Sequence, residues 1–504
     1  MNRIKSYSIK RSKIIFSVAF VLMINLSSAF SQNDTLVLNL SDALAIAQTK
    51  SSDAMIAKHR FRINYWQYRS FKADYLPSVN LDANLPSFSR SFRTISVPDG
   101  PDIFQYNTLG NYSAGMTINQ KIGFTGGSVF LESRLQRLDN FYPDSTYSNY
   151  QSTPIIIGYR QPVFQYNEYR WAKQLEPLKY EKAKRQYMED VEQVSITTIN
   201  HFFNLLLAQI EKLIAEKNLN NYDTLYKIAR GRYQLGKIAE NDLLQLELNF
   251  LRAKASVDNA SLDYENMLFR LKSYLRIKDA GAIKLLPPAE TRYDMISAAK
   301  ALDEARRNTA ASIDFQERLI TAESDVRRAK MNGRFDADLY VEYGLTQSTG
   351  LLSNVYKNPV DQQQLNVGMN IPILDWGKAR GQIRVAESNF ELEQTSVEQE
   401  IIDFEQNVFL TVMQFNMQKN QLFIAAKADT VAQKRYDVTQ KRYMIGQVND
   451  VLELNNAQID NDNARKGYYS ALRSYWVNYY QLRKMTLYDF LDDKMLIFDI
   501  REIM

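Results

Sequence analysis

Few side chains in this sequence have the types and spacing that catalysis or metal binding requires. The 504 residues include no cysteine and only two histidines, His59 and His201, which lie 142 positions apart. Disulfides, thiolate zinc sites and cysteine nucleophiles are therefore excluded, and we interpret both histidines as ordinary helix residues. Signatures of phosphate loops, dinucleotide sites, nucleophile elbows and zinc proteases are absent from the sequence as well. We predict that the chain is not an enzyme and holds no cofactor and no metal.

The first 31 residues have the pattern of a secretory signal peptide. A basic stretch precedes an apolar run over residues 14–26, and the small residues Ala29 and Ser31 precede the expected cleavage before Gln32. The run of 13 residues is too short to cross a bilayer comfortably, although an N-terminal anchor is the alternative. The basic residues of this segment are Arg3, Lys5, Lys10, Arg11 and Lys13.

Those basic residues account for the whole formal net charge of +5. The processed chain then has 57 basic and 57 acidic side chains, so its charge gives no reason to expect a nucleic-acid partner. Because the processed chain also lacks a cysteine for lipid attachment, any contact with membrane lipid must come from the fold.

The chain contains two copies of one unit. Five identical residues, spread over 79 positions, recur at one offset of 210 without a gap, which indicates a tandem duplication. We predict a first repeat over 32–285, a second over 286–490 and a C-terminal tail over 491–504. The matched residues are Gly158, Pro162, Arg232, Tyr233 and Gly236 in the first repeat and Gly368, Pro372, Arg442, Tyr443 and Gly446 in the second.

Each repeat has the pattern of a helix, then strands, then a long helix–turn–helix. The opening helices are predicted from Leu40 to about Lys72 and from about Tyr293 to Met331. Strand regions are expected over 76–163 and 335–374, and long hairpins over 164–275 and 375–485. The long helices have the 3-4 apolar spacing of a coiled coil, and the first would extend over about 70 residues.

Alternation places two strands in each repeat, and the first repeat has a surplus. Residues 113–120 and 128–136 look like two additional strands, which either join a barrel or form an outer hairpin. Four strands cannot close a membrane barrel, because the smallest have about 8. An open sheet in lipid leaves unpaired backbone groups at several kcal/mol each. Strands from other copies of the chain must therefore complete the barrel.

The order and spacing of these segments resemble the TolC-like outer membrane efflux protein family over essentially the whole processed chain. The likeness is carried by Leu40-Ser-Asp-Ala-Leu-Ala-Ile-Ala, by Tyr75-Leu-Pro-Ser-Val, by the strand end Gln161-Pro162 and by the Arg-Tyr-x-x-Gly turns at 232–236 and 442–446. The resemblance implies a mainly α fold with β, in which tandem-duplicated long α-helical coiled-coil hairpins accompany antiparallel strands that contribute to a trimeric transmembrane β-barrel of 12 strands.

By the same resemblance, the protein is a homotrimer in outer-membrane lipid with a periplasmic helical tunnel. It would be the passive exit duct of a tripartite efflux pump or type I secretion system. The duct would open at its periplasmic tip when a periplasmic adaptor protein and an inner-membrane transporter dock. The alternative is a periplasmic coiled-coil adaptor or structural protein without a barrel, which does not account for strands recurring at one place in each repeat.

The resemblance also assigns roles at the hairpin tips. Acids from three chains around one axis would repel each other and favour cations, and nearby Arg442 and Tyr443 would hold the helices shut. The same acids are also explained as solvated helix-surface residues. Since Asp242 lies six residues after Gly236 but Asp450 only four after Gly446, the second turn is expected to be two residues short. The implied adaptor contacts are Gly236, Lys237, Ile238, Gly446, Gln447 and Val448, and the candidate gate residues are Asp242, Arg442, Tyr443, Asp450 and Glu453.

Overall fold

The computed structural model describes residues 36–95, 103–142, 144–278, 283–288, 295–445, 447 and 451–499. The predicted signal peptide lies outside these residues, as do Gly446, Val448 and Asp450. The chain divides into two compact units, and each unit takes segments from both sequence repeats. Counting only the described residues, a helical unit comprises those up to residue 56 and those within 191–296 and 411–483, and a sheet unit comprises those within 57–190 and 297–410 and those from 484 onward.

Each helix of the first repeat has a counterpart of equal or nearly equal length in the second. In chain order they are α1 (Leu40–Lys50), α2 (Ser52–Ala73), α3 (Glu168–Gln234), α4 (Glu240–Leu275), α5 (Ala298–Asn308), α6 (Ala310–Asn332), α7 (Lys378–Met444) and α8 (Val451–Thr486). Helices α3 and α7 have 67 residues each, close to the predicted 70, and α4 and α8 have 36 each. Among the residues described, no helix is both long and apolar enough to cross a bilayer.

The opening helix of each repeat is interrupted, where the sequence predicts a continuous one. Ser51 separates α1 from α2, and Thr309 separates α5 from α6; both have extended backbones, with ψ of 155° and 157°. Both residues are buried, and the Ser51 hydroxyl accepts a hydrogen bond from the Ala54 N–H at 3.1 Å. The Thr309 hydroxyl instead donates to the Ala305 carbonyl oxygen at 2.7 Å. Serine and threonine hydroxyls compete with helical hydrogen bonds through both kinds of contact, which explains the two breaks.

Six strands form one antiparallel sheet in the sheet unit. In chain order the strands are β1 (Leu36–Leu38), β2 (Ser78–Ile95), β3 (Ile103–Ile122), β4 (Gly127–Phe141), β5 (Thr146–Val163), β6 (Ile283–Leu285), β7 (Asp336–Thr349), β8 (Val360–Asn370), β9 (Tyr488–Asp489) and β10 (Lys494–Met495). The large sheet has the order β2-β3-β4-β5-β7-β8, while β1 pairs with β6 and β9 with β10.

The surplus segments of the first repeat are β3 and β4, and they lie inside the large sheet. They pair with each other over 15 residues and connect β2 to β5, so they do not form a separate outer hairpin. The sequence left open whether these two strands join the other four, and the structure places all six in one sheet. The twelve-stranded barrel implied by three chains does not follow from this sheet.

The two faces of the sheet differ in polarity. Residues directly opposite one another in neighbouring strands share a face, so each register row can be followed across the sheet. One face has the row Val79, Ile118, Leu131, Ile157, Tyr343 and Gln363, whereas the other has the row Asn80, Thr117, Glu132, Ile156, Gly344 and Gln362. The sheet is therefore largely apolar on one side and more polar on the other.

Candidate functional site at the helical hairpin tips

The first hairpin turns between α3 and α4. Gly236 has φ +66°, and the Lys237 N–H donates to the Arg232 carbonyl oxygen at 2.9 Å. Helices commonly end with this bond beside a left-handed glycine. A Cβ at Gly236 would meet no atom within 4 Å, so the backbone conformation and not lack of space requires the glycine.

The second hairpin ends its first helix in the same way. The Gln447 N–H donates to the Arg442 carbonyl oxygen at 3.0 Å, which repeats the first turn at the offset of 210. Beyond the turn the offset is 211: α8 begins at Val451 where α4 begins at Glu240, and both helices are followed by a left-handed residue, Leu487 and Arg276. The second turn is one residue longer than the first, and the expectation that it is two residues short was wrong.

This register makes Glu453, and not Asp450, the counterpart of Asp242. Both acids are the third residue of their helix. Each is followed by a leucine, Leu243 or Leu454, that belongs to or packs against one apolar cluster. Asp450 precedes α8 and lies outside the described residues.

The ends of α3, α4, α7 and α8 pack together in one apolar cluster inside the helical unit. Its centre includes Leu246 and Ala457, which hold matched positions of α4 and α8 and are fully buried. Ile238, predicted to be part of the exposed tip, packs against this cluster instead, because its apolar side chain is shielded there from water. The cluster consists of Leu225, Ala229, Leu246, Tyr436, Tyr443, Val451, Leu454 and Ala457, with Tyr222, Ile238 and Leu243 against it.

Arg232 connects the two hairpins at this cluster. Its Nη2 donates to the carbonyl oxygens of Tyr443 and Met444, each at 3.2 Å, and its guanidinium lies 5.3 Å from the centre of the Tyr443 ring. These carbonyls belong to the last turn of α7, where no helical partner is available and the helix dipole favours a cation. Burial raises the pKa of the Tyr443 hydroxyl, and the Arg232 charge opposes that rise.

The candidate gate residues do not all lie together. Arg442 is the repeat counterpart of Arg232, yet its Nη1 lies 4.0 Å from a carboxylate oxygen of Glu453 in its own hairpin, and both side chains are substantially exposed. Tyr443 is 1 % exposed in the cluster, whereas its counterpart Tyr233 is 41 % exposed. Sequence reasoning omitted Arg232 from the gate residues, although it occupies the same motif position as Arg442.

Polar side chains form a second set of contacts between the hairpins, deeper along the helices. Asn218 and Gln458 donate to the two carboxylate oxygens of Asp462, at 2.7 and 2.9 Å. The Tyr222 hydroxyl donates to Asn455 at 2.8 Å, and Asn221 donates to the Tyr436 hydroxyl at 3.0 Å. Nothing in the sequence pattern singled out these contacts, because all of them except the bond between Gln458 and Asp462 join residues of different helices.

Burial changes the acidity of this polar layer. Desolvation raises the pKa of Tyr222 to about 12 and also raises the pKa of Tyr436. It also raises the pKa of the Asp462 carboxyl, although the two hydrogen bonds from Asn218 and Gln458 oppose the shift. Among the described residues, no group of three or more histidine, aspartate or glutamate side chains is arranged to bind a metal ion.

The outermost part of the turns is apolar and exposed. Leu235 is 76 % exposed and Ile445 is 68 % exposed, and the two hold the same repeat position, directly before the turn glycine. Lys237 and Gln447, both predicted adaptor contacts, are also exposed. The two turns thus offer the same pair of features to solvent, one large aliphatic and one polar side chain.

The fold is that of known outer-membrane channels. The chain superimposes on the Campylobacter jejuni CmeC outer membrane channel with a TM-score of 0.63 at 16 % identity, over 89 % of this chain and 85 % of that one. It superimposes on the outer membrane protein VceC from Vibrio cholerae with a TM-score of 0.61 at 13 % identity, over 89 % and 95 %. Among curated proteins, none matches the sequence significantly. The predicted fold class, mainly α with an antiparallel sheet, is confirmed.

The family follows from the sequence match. The profile of the family described as outer membrane efflux protein matches residues 46–275 and 294–486, and the chain belongs to this family. The protein is therefore an outer-membrane transport protein with a periplasmic helical part, and it is not an enzyme. Members of the family work as oligomeric channels with adaptor and pump partners.

Proposed function

We propose that this protein is the passive exit duct of a tripartite efflux pump or of a type I secretion system, and that its hairpin tips dock a periplasmic adaptor. The observation that carries the proposal is the pair of exposed aliphatic side chains, Leu235 and Ile445, at one repeat position of both turns. Single exposed apolar residues are ordinary, but a matched pair at the end of two packed hairpins is typical of a contact surface.

The duct is a homotrimer in outer-membrane lipid, fed by an inner-membrane transporter. The apolar face of the sheet supplies the lipid-facing surface, and edges left open by one chain are closed by other copies. Energy comes from the inner-membrane transporter, since the sequence has no nucleotide-binding signature. Processing before Gln32 yields the mature chain of two repeats and a tail, with the boundaries predicted above.

Opening of the duct separates the hairpins at their tips. Three copies of Asp242 and Glu453 around one axis form a negative constriction that favours cations. The contacts that hold the closed form include the bonds from Arg232 to the end of α7, which an adaptor bound at the turns would weaken. The adaptor thus acts as a competitor for a packed helix end and needs no chemical step.

The docking role is tested with charged variants of the tip. Leu235→Asp and Ile445→Asp are combined in a cell that lacks the native protein and expresses its adaptor and transporter. Leu262→Asp serves as the matched control, because Leu262 is a 73 % exposed leucine on α4 away from the turns. The readouts are detergent-extracted trimer on gels and cellular accumulation of a fluorescent pump substrate.

We expect the double variant to form trimer at the wild-type level but to accumulate substrate as an empty-vector strain does. The Leu262→Asp strain should resemble wild type in both readouts. Normal efflux by the double variant would refute docking at the turns, and a protein that is extracted as monomer by aqueous buffer would refute the duct itself.

A further inference from the structure

The large sheet ends in two edges that no described strand covers. Strand β2 pairs only with β3, and β8 only with β7, so the outer edges of Ser78–Ile95 and Val360–Asn370 stay open among the residues described. Side chains of both strands are exposed almost throughout, in contrast to the partly buried β4 and β5. Each unpaired backbone group costs several kcal/mol in lipid, so both edges require a partner strand there.

The hairpin β3–β4 has the same two faces as the rest of the sheet, one apolar and one polar. On the apolar face, Met116 of β3 is 48 % exposed and stands opposite Leu81 of β2, which is 77 % exposed. The neighbouring row on the same face runs from Val79 of β2 through Ile118 of β3 and Leu131 of β4 to Ile157 of β5, which is 55 % exposed. Hydrocarbon-facing strands alternate in this way, so β3 and β4 belong to the membrane wall as much as β5 and β7 do.

The opposite face of the same strands is polar and internally hydrogen-bonded. Gln136 of β4 donates to Asn111 of β3 at 2.8 Å, and Arg134 forms an ion pair with Glu132 at 2.7 Å. These side chains are on the face that would line an aqueous lumen. A hairpin lying outside the wall would have no reason to keep one polar and one apolar face in register with four neighbouring strands.

Strand direction makes the two edges complementary. The six strands alternate in direction, so β8 runs antiparallel to β2. The edge β8 of one copy can therefore join the edge β2 of the next copy without breaking the antiparallel alternation, and repetition of this contact closes a ring. An odd number of strands per chain would have forced a parallel contact at every junction.

We propose that β8 of each copy pairs with β2 of the next copy, so that three copies form a wall of 18 strands instead of the 12 that the family resemblance implies. The proposal rests on the proposed function, which supplies the trimer and the lipid. Barrel diameter grows about linearly with strand number, which makes the lumen about one and a half times as wide as that of a 12-stranded wall. Barrels of this strand number hold an open aqueous channel, so the wall admits bulkier cargo.

Disulfide cross-linking tests the junction directly, because the wild-type chain has no cysteine. Leu81→Cys in β2 is combined in one chain with Leu365→Cys, Val367→Cys or Met369→Cys in β8, all on the apolar face. Side chains directly opposite on neighbouring strands have Cβ atoms about 5 Å apart, close enough for an oxidised pair to form. Leu131→Cys in β4, combined with the same β8 positions, is the matched alternative edge.

Oxidised detergent extracts are then separated on non-reducing denaturing gels. We expect one Leu81 combination to give covalent dimer and trimer in more than half of the protein, with under a tenth for every single-cysteine variant and for the Leu131 set. Cross-linking through Leu131, with Leu81 silent, would overturn the inference in favour of a 12-stranded wall built from β4, β5, β7 and β8. A non-covalent trimer that no Leu81 combination cross-links would overturn it as well.

The experiment separates the inference from the proposed function. If the processed protein leaves the cells in aqueous buffer as a monomer, the duct and the 18-stranded wall are both refuted. If a detergent-dependent trimer forms but cross-links through Leu131, only the strand count is refuted and the duct stands.

Discussion

Replacement of Arg232 should loosen the contact between the two hairpins far more than replacement of its repeat counterpart. Arg232→Met keeps the aliphatic stem but removes the two hydrogen bonds, each 3.2 Å long, to the carbonyls of Tyr443 and Met444. Arg442→Met is the matched control, since it alters the same motif position in the second repeat and removes only a 4.0 Å contact with Glu453.

The magnitude follows from these contacts. A hydrogen bond from a charged donor contributes about 1.5–3 kcal/mol, and a cation–π contact adds about 0.5–1 kcal/mol. The Nη1 of Arg232 is buried without a hydrogen-bond partner, so removal of that atom stabilises the closed tip by about 1–3 kcal/mol. We therefore expect a net loss of about 2 kcal/mol, or about 30-fold in the equilibrium for opening the tip. The exposed Arg442 pair should change that equilibrium about two-fold at most.

Hydrogen exchange of the detergent-solubilised trimer measures this equilibrium. The amides to follow are Lys237 and Gln447, whose N–H groups bond to the last turns of α3 and α7. Exchange in Arg232→Met should be about 30-fold faster than in wild type at these amides and unchanged in α1 (Leu40–Lys50). If both arginine variants changed the exchange rates equally, or if Arg232→Met changed none, the Arg232 contacts would not stabilise the closed tip more than the Arg442 contact does.

Three further substitutions follow from particular contacts. Gly236→Ala forces an alanine to φ +66° and should destabilise the tip by about 1–2 kcal/mol in chemical melts, whereas helical Gly231→Ala should stabilise it by about 0.5–1 kcal/mol. Gly158→Ala places a Cβ 2.1 Å from the Phe130 ring and should lower the temperature at which the trimer dissociates on denaturing gels; adding Phe130→Leu should restore most of it, and no recovery would contradict the clash. Burial raises the pKa of the Asp462 carboxyl, so the folded protein is most stable at low pH and loses that stability as the pH rises through the raised pKa. Asp462→Asn should therefore raise the melting temperature at pH 7 but not at pH 4. A difference in melting temperature that does not depend on pH would refute the pKa shift.

Prediction of the hairpins from sequence succeeded because their pattern is local. A 3-4 apolar repeat sustained over many turns and a glycine after an Arg-Tyr pair specify a long helix and its end through the backbone itself. The breaks at Ser51 and Thr309 were missed because a lone hydroxyl residue is as compatible with a helix surface as with a cap, and only its burial distinguishes the two.

The candidate site was predicted less completely. Gly236, Lys237 and Gln447 lie at the turns, yet Ile238 packs inward instead of lying at the exposed tip. Arg232 and Arg442 occupy the same position of a motif that is identical in both repeats, so the sequence does not distinguish them. Only the packing of the four helices determines that Arg232 is the one that bonds to the other hairpin. The sequence matched Asp242 with Asp450, whereas its counterpart in the structure is Glu453. The mismatch arose because the second turn contains one more residue, which is evident from the helix ends but not from the spacing of the acids.

By itself, the sequence determined the absence of cysteine chemistry, the fold class, and the strand and helix segments of each repeat, because composition and periodicity are properties of the chain alone. Tertiary structure decided how many strands join the large sheet and which residues contact each other between the hairpins. The pairing of β3 and β4 (Ile103–Ile122 and Gly127–Phe141) with β2 and β5 depends on backbone hydrogen bonds between distant segments, which alternation does not record. The bridge from Arg232 to the last turn of α7 likewise exists only because packing brings residues 211 and 212 positions apart together.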